Sequence, residues 1–170
     1  MRFPERWLRE WVDPKVDVDD LAEQLTLLGL EVDAVESAAP AFTDVVVGRV
    51  VDVEAHPQAE RLSVCSVDDG SGELRRVVCG APNAAPGLRA PLARVGARLP
   101  DGTSIEATEL RGVLSSGMLC SARELGISDE AGGLFELGDD AAPGTDVREY
   151  CGFDESIVEI DLTPNRGDCL

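Results

Sequence analysis

Residues 111–126, Arg-Gly-Val-Leu-Ser-Ser-Gly-Met-Leu-Cys-Ser-Ala-Arg-Glu-Leu-Gly, gather in consecutive turns the kinds of group that could grip another molecule. Serine and glycine let a ligand come close to the backbone, Arg111 supplies a planar charged fork, and Met118 offers an adaptable apolar surface. A plainer reading of the same run is a buried connection that closes a small barrel. Met118 and Leu119 would then be core, and the serines would cap a helix over 122–125 that stops at Gly126. His56 before Pro57 could stack on a base or bridge a phosphate, or it could hydrogen-bond locally within its turn. Asn83, in the loop Gly80-Ala-Pro-Asn-Ala-Ala-Pro-Gly, could present its amide to a base or ribose, or bond its own backbone. Cys79 closes an apolar strand, and the chain has no second histidine to pair with it, so it reads as an inert core thiol. One histidine and no Cys-x-x-Cys pair speak against a metal site. The glycine-rich loops match neither Gly-x-x-x-x-Gly-Lys nor Gly-x-Gly-x-x-Gly, and no carboxylate dyad or nucleophile–base pair stands out, which sets aside a small self-contained enzyme.

The elements that must position these residues are legible as patterns. Residues 4–11 fit a short amphipathic helix, with Trp7, Leu8 and Trp11 able to share an apolar side. Asp17 is a good N-cap for a second helix carrying Val18, Leu21, Leu25 and Leu28, and Gly29 supplies a left-handed stop. Residues 30–36 alternate apolar and charged as a half-buried strand does, before Ser37-Ala-Ala-Pro loosens the chain. Short strands separated by turns then follow at 45–54, 62–68, 74–79, 88–95 and 103–110, a spacing that points to a small barrel or sandwich closed by 111–126. After an acidic, glycine-rich loop come a short apolar run at 134–137, a brief helix near 147–150 and an alternating strand at 157–162. That late strand is a natural partner for the early helix-helix-strand unit, which is too small to be stable alone. The chain stops inside what reads as a turn into a new element, as a truncated piece would.

The 170 residues make one ordinary domain or two small ones, and their net charge of -18 argues on its face against a nucleic-acid partner. Position matters more than the total. Residues 45–128 hold nine arginines against ten acids and are close to neutral, whereas 1–44 hold four cations against eleven acids and 129–170 two against twelve. Lys15 is the only lysine, so nearly every cation is a guanidinium. Five widely spaced cysteines and the lack of an apolar signal segment predict reduced thiols in the cytosol, and no apolar run is long enough to cross a bilayer.

His56-Pro-Gln-Ala-Glu-Arg-Leu, Val78-Cys-Gly-Ala-Pro-Asn, Leu99-Pro-Asp-Gly, Leu110-Arg-Gly-Val-Leu-Ser-Ser-Gly-Met-Leu-Cys-Ser, Glu124-Leu-Gly-Ile and Thr163-Pro-Asn-Arg-Gly-Asp-Cys-Leu occur in this order. With the leader motifs Trp7-Leu-Arg-Glu-Trp and Leu25-Thr-Leu-Leu-Gly-Leu-Glu-Val-Asp, they resemble the N-terminal part of the bacterial phenylalanyl-tRNA synthetase beta subunit over the whole chain. Glu60-Arg61 stands where that family commonly has Asp-Lys or Asp-Arg, conservative in charge but longer in the acid. The resemblance implies an α+β, mostly β fold: a five-stranded OB-fold Greek-key barrel of the tRNA-binding kind over 40–150. The barrel would be inserted in a small mixed α+β domain whose first half is 1–39 and whose second half begins in 151–170. It further implies a part of an enzyme that uses ATP and magnesium to attach phenylalanine to its tRNA, working in the cytoplasm as a tetramer of two alpha and two beta chains. Aminoacylation would belong to the alpha subunit and editing to later parts of the beta chain, so no catalytic residue and no cofactor are expected here. The implied partners are the alpha subunit and tRNA, with no membrane and no DNA.

OB-fold barrels bind on one strand face and its adjoining loops, which makes His56, Arg61, Asn83, Arg111, Ser115, Met118 and Ser121 the candidate RNA contacts. The competing expectation is an architectural or subunit-contact module without direct RNA binding. Arginines converging on one face would favour RNA; arginines each paired with an acid would favour architecture.

Overall fold

The computed structural model describes residues 1–164 and 166, so most of the terminal Thr163-Pro-Asn-Arg-Gly-Asp-Cys-Leu motif, Cys169 included, lies outside the described residues. In chain order the elements are β1 (Arg2–Pro4), α1 (Glu5–Arg9), α2 (Val18–Leu27), β2 (Glu31–Ser37), β3 (Thr43–Ala55), β4 (Ser63–Asp68) and β5 (Leu74–Cys79). They continue with β6 (Arg89–Arg98), β7 (Thr108–Leu110), β8 (Val113–Ser115), β9 (Met118–Leu119), α3 (Val147–Cys151) and β10 (Ser156–Asp161). The chain divides into two compact units, Met1–Ala39 with Gly152–Leu170, and Pro40–Cys151.

In the first unit β10 lies between β1 and β2 in an antiparallel three-stranded sheet. Phe3, Val158 and Ile160 form its core, with Leu8, Val18 and Leu25 packed against them from the helices. Local signals set α2 at both ends. The Asp17 carboxylate accepts a hydrogen bond from Asp20 N at 2.9 Å, and Gly29 at φ +89° lets its own N–H reach Thr26 O and that of Leu30 reach Leu25 O, both at 2.9 Å. The first helix differs from the expected 4–11. It spans only Glu5–Arg9 because Arg2, Phe3 and Pro4 are drawn into strand pairing with β10, and the residue before a proline favours extended backbone. Leu8 alone packs inward; Trp7 and Trp11 are exposed rather than sharing a buried side.

The second unit is built on a curled antiparallel sheet in the order β5-β4-β3-β6-β9. β3 is long enough to serve two partners, pairing with β6 over its first half and with β4 over its second, and register shifts between Thr43 and Val45 and between Val50 and Asp52 let it bend. Between the two shifts stands Gly48, where a Cβ would lie 2.9 Å from both Leu92 Cβ and Val67 Cγ1. Val46, Val50, Cys65, Val67, Val77, Ala90, Leu92 and Leu119 fill the core inside the curl.

The fifth strand is not 103–110. Thr108, Glu109 and Leu110 are all exposed and form only a small hairpin with β8, while residues 103–105 fold back along the end of β6, with Ile105 N bonded to Ala97 O at 2.8 Å. The fifth position goes to β9, because Leu119 is the residue there that buries its side chain against the core, opposite Leu92. The segment around β9 reaches both sides of the sheet: Ser116 N bonds Arg76 O on β5 at 2.8 Å, and Cys120 N bonds Pro91 O on β6 at 2.9 Å. The helix expected over 122–125 shrinks to one turn. Its two ends are as the sequence indicates, with Ser121 and Glu124 exchanging a reciprocal cap and Ile127 N reaching Ala122 O at 2.9 Å past Gly126, but nothing lies between them to propagate. Among the described residues no helix is long and apolar enough to cross a membrane.

Candidate nucleic-acid interface

Two loops far apart in sequence are pinned together by His56. Its ring is 5% exposed; Nδ1 accepts from Gln58 N at 3.1 Å, so Nε2 carries the proton and donates it to Leu110 O at 3.0 Å. The first bond shapes the turn at 56–62 and the second holds the tip of the β7–β8 hairpin against it. Arg111 Nη1 adds a longer bond to Gln58 O at 3.4 Å. His56 is therefore a splint between loops, buried and with both ring nitrogens engaged.

The other polar candidates sort by what their hydrogen bonds already do. Ser115 is buried, and its Oγ accepts from Val78 N at 3.0 Å while donating to Gly117 O at 2.9 Å, tying β8 to β5. Ser121 is buried too, and its Oγ donates to Glu124 at 2.8 Å. Asn83 donates through Nδ2 to Leu134 O at 3.1 Å and to Glu136 Oε1 at 3.0 Å, and accepts from Leu134 N at 2.8 Å, so its amide straps one loop to another. Arg61 and Arg111 are exposed and line one recess of about 450 Å³ with Gln58, Ala59, Glu60 and Leu62. Met118 is half-buried and lines a neighbouring cleft of about 380 Å³, whose walls include Leu62, Pro82, Leu110 and Leu134. Leu62 and Leu110 are not among the candidate contacts that the sequence offers, although both sit inside the motifs that carry Arg61 and Arg111.

Cys79 also borders that cleft. A hydrogen bond from the Cys65 thiol holds it below the usual thiol range against the opposing effect of burial, while Cys65 is pushed up by the same bond and by burial. Burial, aided by the nearby Glu124 charge, pushes the Cys120 thiol up to about 12. The one histidine has both ring nitrogens committed elsewhere, to Leu110 O and Gln58 N.

Of the nine central arginines, four are paired with acids. Arg49 pairs with Asp68 at 3.0 Å, Arg89 with Asp139 at 3.5 Å, and Arg75 and Arg94 both with the buried Asp69. Arg61, Arg76, Arg98, Arg111 and Arg123 are exposed, and none of them is in an ion pair among the described residues. Of these five, only Arg61 and Arg111 share a recess.

A curled five-stranded antiparallel sheet with an arginine-lined recess at the loops is an arrangement compatible with binding a polyanion. A family model described as "Putative tRNA binding domain" matches residues 45–146, and the chain belongs to that family. All 170 residues align at 58% identity with the phenylalanine--tRNA ligase beta subunit of Bordetella parapertussis, and at 55% with those of Nitrosococcus oceani and Methylococcus capsulatus. The chain spans 21%, 21% and 22% of the length of these relatives.

Proposed function

We propose that this chain is the tRNA-handling region of a phenylalanine--tRNA ligase beta subunit and supports the ATP-dependent attachment of phenylalanine to tRNA. The observation that carries the reading is identity of 55–58% along the whole chain to subunits of that name, joined to a tRNA-binding family match over 45–146. In this reading the curled sheet is a Greek-key OB-fold barrel closed through the Ser116–Arg76 bond, spanning 40–150 and inserted in an α+β domain made of 1–39 and the residues from 151 onward. The chain supplies no catalytic residue. ATP and magnesium act elsewhere in the assembly, an alpha subunit completes a tetramer of two alpha and two beta chains, and the whole works in the cytoplasm.

One observation favours a second reading, an architectural module without RNA contact: Arg49, Arg75, Arg89 and Arg94 are each paired with acids instead of being held out for phosphate. Titration of the chain with transcribed phenylalanine tRNA and an unrelated tRNA, at low and at moderate salt, separates the two. Salt-sensitive binding supports the first reading; no binding to either RNA at low salt leaves the architectural one.

A further inference from the structure

The tip of the β7–β8 hairpin breaks a local rule. Its two central residues, Arg111 and Gly112, have φ of 47° and 82°, the left-handed pair that two-residue hairpin turns use and that asparagine, aspartate or glycine fills at the first position without strain. Arginine carries a Cβ into that region at a cost, and nothing among the described residues accounts for it. Among the described residues the guanidinium makes a single bond, of 3.4 Å to Gln58 O, and has no carboxylate within ion-pair range. A rule broken without internal compensation marks a position held for an external contact.

The surroundings say what kind of contact. His56 and Leu110 are 54 residues apart, and the bond between them brings the hairpin tip onto the 56–62 turn, where Arg61 stands. A Cβ on Gly112 would lie only 3.5 Å from Gln58 Nε2, so the two loops meet closely. Two exposed guanidinium groups with no acid partner among the described residues thus line one recess of about 450 Å³, and Leu62 forms a wall both of that recess and of the apolar cleft of about 380 Å³ beside it. Paired guanidinium forks match the oxygens of a phosphate. The cleft offers Leu62, Leu110 and Met118 as a dispersion surface and no aromatic ring.

We infer that this recess seats one backbone phosphate of RNA between Arg61 and Arg111, and that the cleft takes the base of the same nucleotide against Leu62 and Met118. The inference rests on the reading of the chain as an RNA-handling module and adds to it the form of the ligand. A base can enter the cleft only when it is unstacked and unpaired, so the preferred partner is a single-stranded segment, not a helix. His56 is a positioning residue for this seat. Glu60, exposed in the same recess and in no ion pair among the described residues, opposes the phosphate and limits its affinity.

The test uses the 170-residue chain, a fluorescein-labelled single-stranded 12-nucleotide RNA, the same RNA as a duplex, and transcribed phenylalanine tRNA. Arg111→Asn removes the charge while supplying a residue the turn prefers, so it keeps or raises the thermal midpoint. It is expected to weaken single-strand binding about tenfold at low salt and to flatten the log–log salt dependence by about one unit. Arg61→Gln, on an exposed turn, behaves the same way in binding, Glu60→Gln tightens binding, and Met118→Ala weakens it without changing the salt slope. Unchanged affinity and slope in both arginine variants would overturn the phosphate seat while leaving RNA handling by other residues intact. Duplex bound as tightly as single strand would overturn the base cleft. Absence of binding by the unsubstituted chain to any of the three RNAs at low salt would overturn the underlying reading and this inference together.

Discussion

Ser115, Ser121 and Asn83 share a property that residue type does not reveal: their hydrogen-bonding groups are already committed inside the protein. Both amide hydrogens of Asn83 go to Leu134 O and Glu136, and the buried Ser115 hydroxyl serves Val78 N and Gly117 O. Ser115→Ala would orphan a buried backbone N–H, and we expect a loss of about 2 kcal/mol of stability by urea denaturation. Affinity for RNA per folded molecule should be unchanged; a selective loss of binding at full stability would show instead that Ser115 touches the ligand. Arg61 and Arg111 have the opposite character, exposed and in no ion pair among the described residues, and the hydrogen bonds of His56 hold together the two loops that carry them.

Among the elements, β3 carries the curl of the sheet. It runs from Thr43 to Ala55, bends at two register shifts and pairs with β6 on one side and β4 on the other. Its Gly48 has no left-handed backbone to serve; it is needed because two side chains from neighbouring strands occupy the space a Cβ would take. Gly48→Ala should therefore destabilise the second unit by about 2 kcal/mol, read as a lower urea midpoint, through overpacking against Leu92 and Val67. A neutral result would mean that β4 and β6 can spread at that point. Helix α2 depends on local chemistry instead. Asp17→Ala removes the cap on Asp20 N and should cost about 1 kcal/mol, seen as faster hydrogen exchange in the first turn of α2 with the sheet of the second unit untouched.

At the scale of the molecule, a net charge of -18 makes acid response informative. Burial tends to raise the Asp69 carboxyl, but hydrogen bonds from Ser71, Arg75 and Arg94 outweigh it and hold the group well below the usual carboxylate range. A depressed folded-state value stabilises the protein fully above the unfolded carboxylate value of about 3.9 and loses that contribution as pH falls below it. The urea midpoint should therefore drop between about pH 4 and more acid conditions, and Asp69→Asn should flatten that limb while lowering stability at neutral pH. Loss of the carboxylate leaves Arg75 and Arg94 facing each other across a buried site, an effect on the order of 3 kcal/mol. An acid limb of equal steepness in the variant would place the titrating group elsewhere.

By itself the sequence determined what depends on near neighbours. The ends of α2, the turn that closes at Gly126, the span of β5 and the alternation of β2 and β10 all follow from capping groups, left-handed glycines and periods of two or four residues. The ordered motifs also carried the family, and they contained both free arginines of the recess. Only the tertiary structure decided which of seven polar and apolar candidates were spent on the fold, because that depends on partners tens of residues away, as Val78 is from Ser115 and Leu134 from Asn83. It also decided that β9, not 103–110, completes the sheet, since a strand's place is won by the side chains it buries against others. The meeting of Arg61 with Arg111 was decided there too, by a buried histidine whose two nitrogens join loops that no local pattern connects.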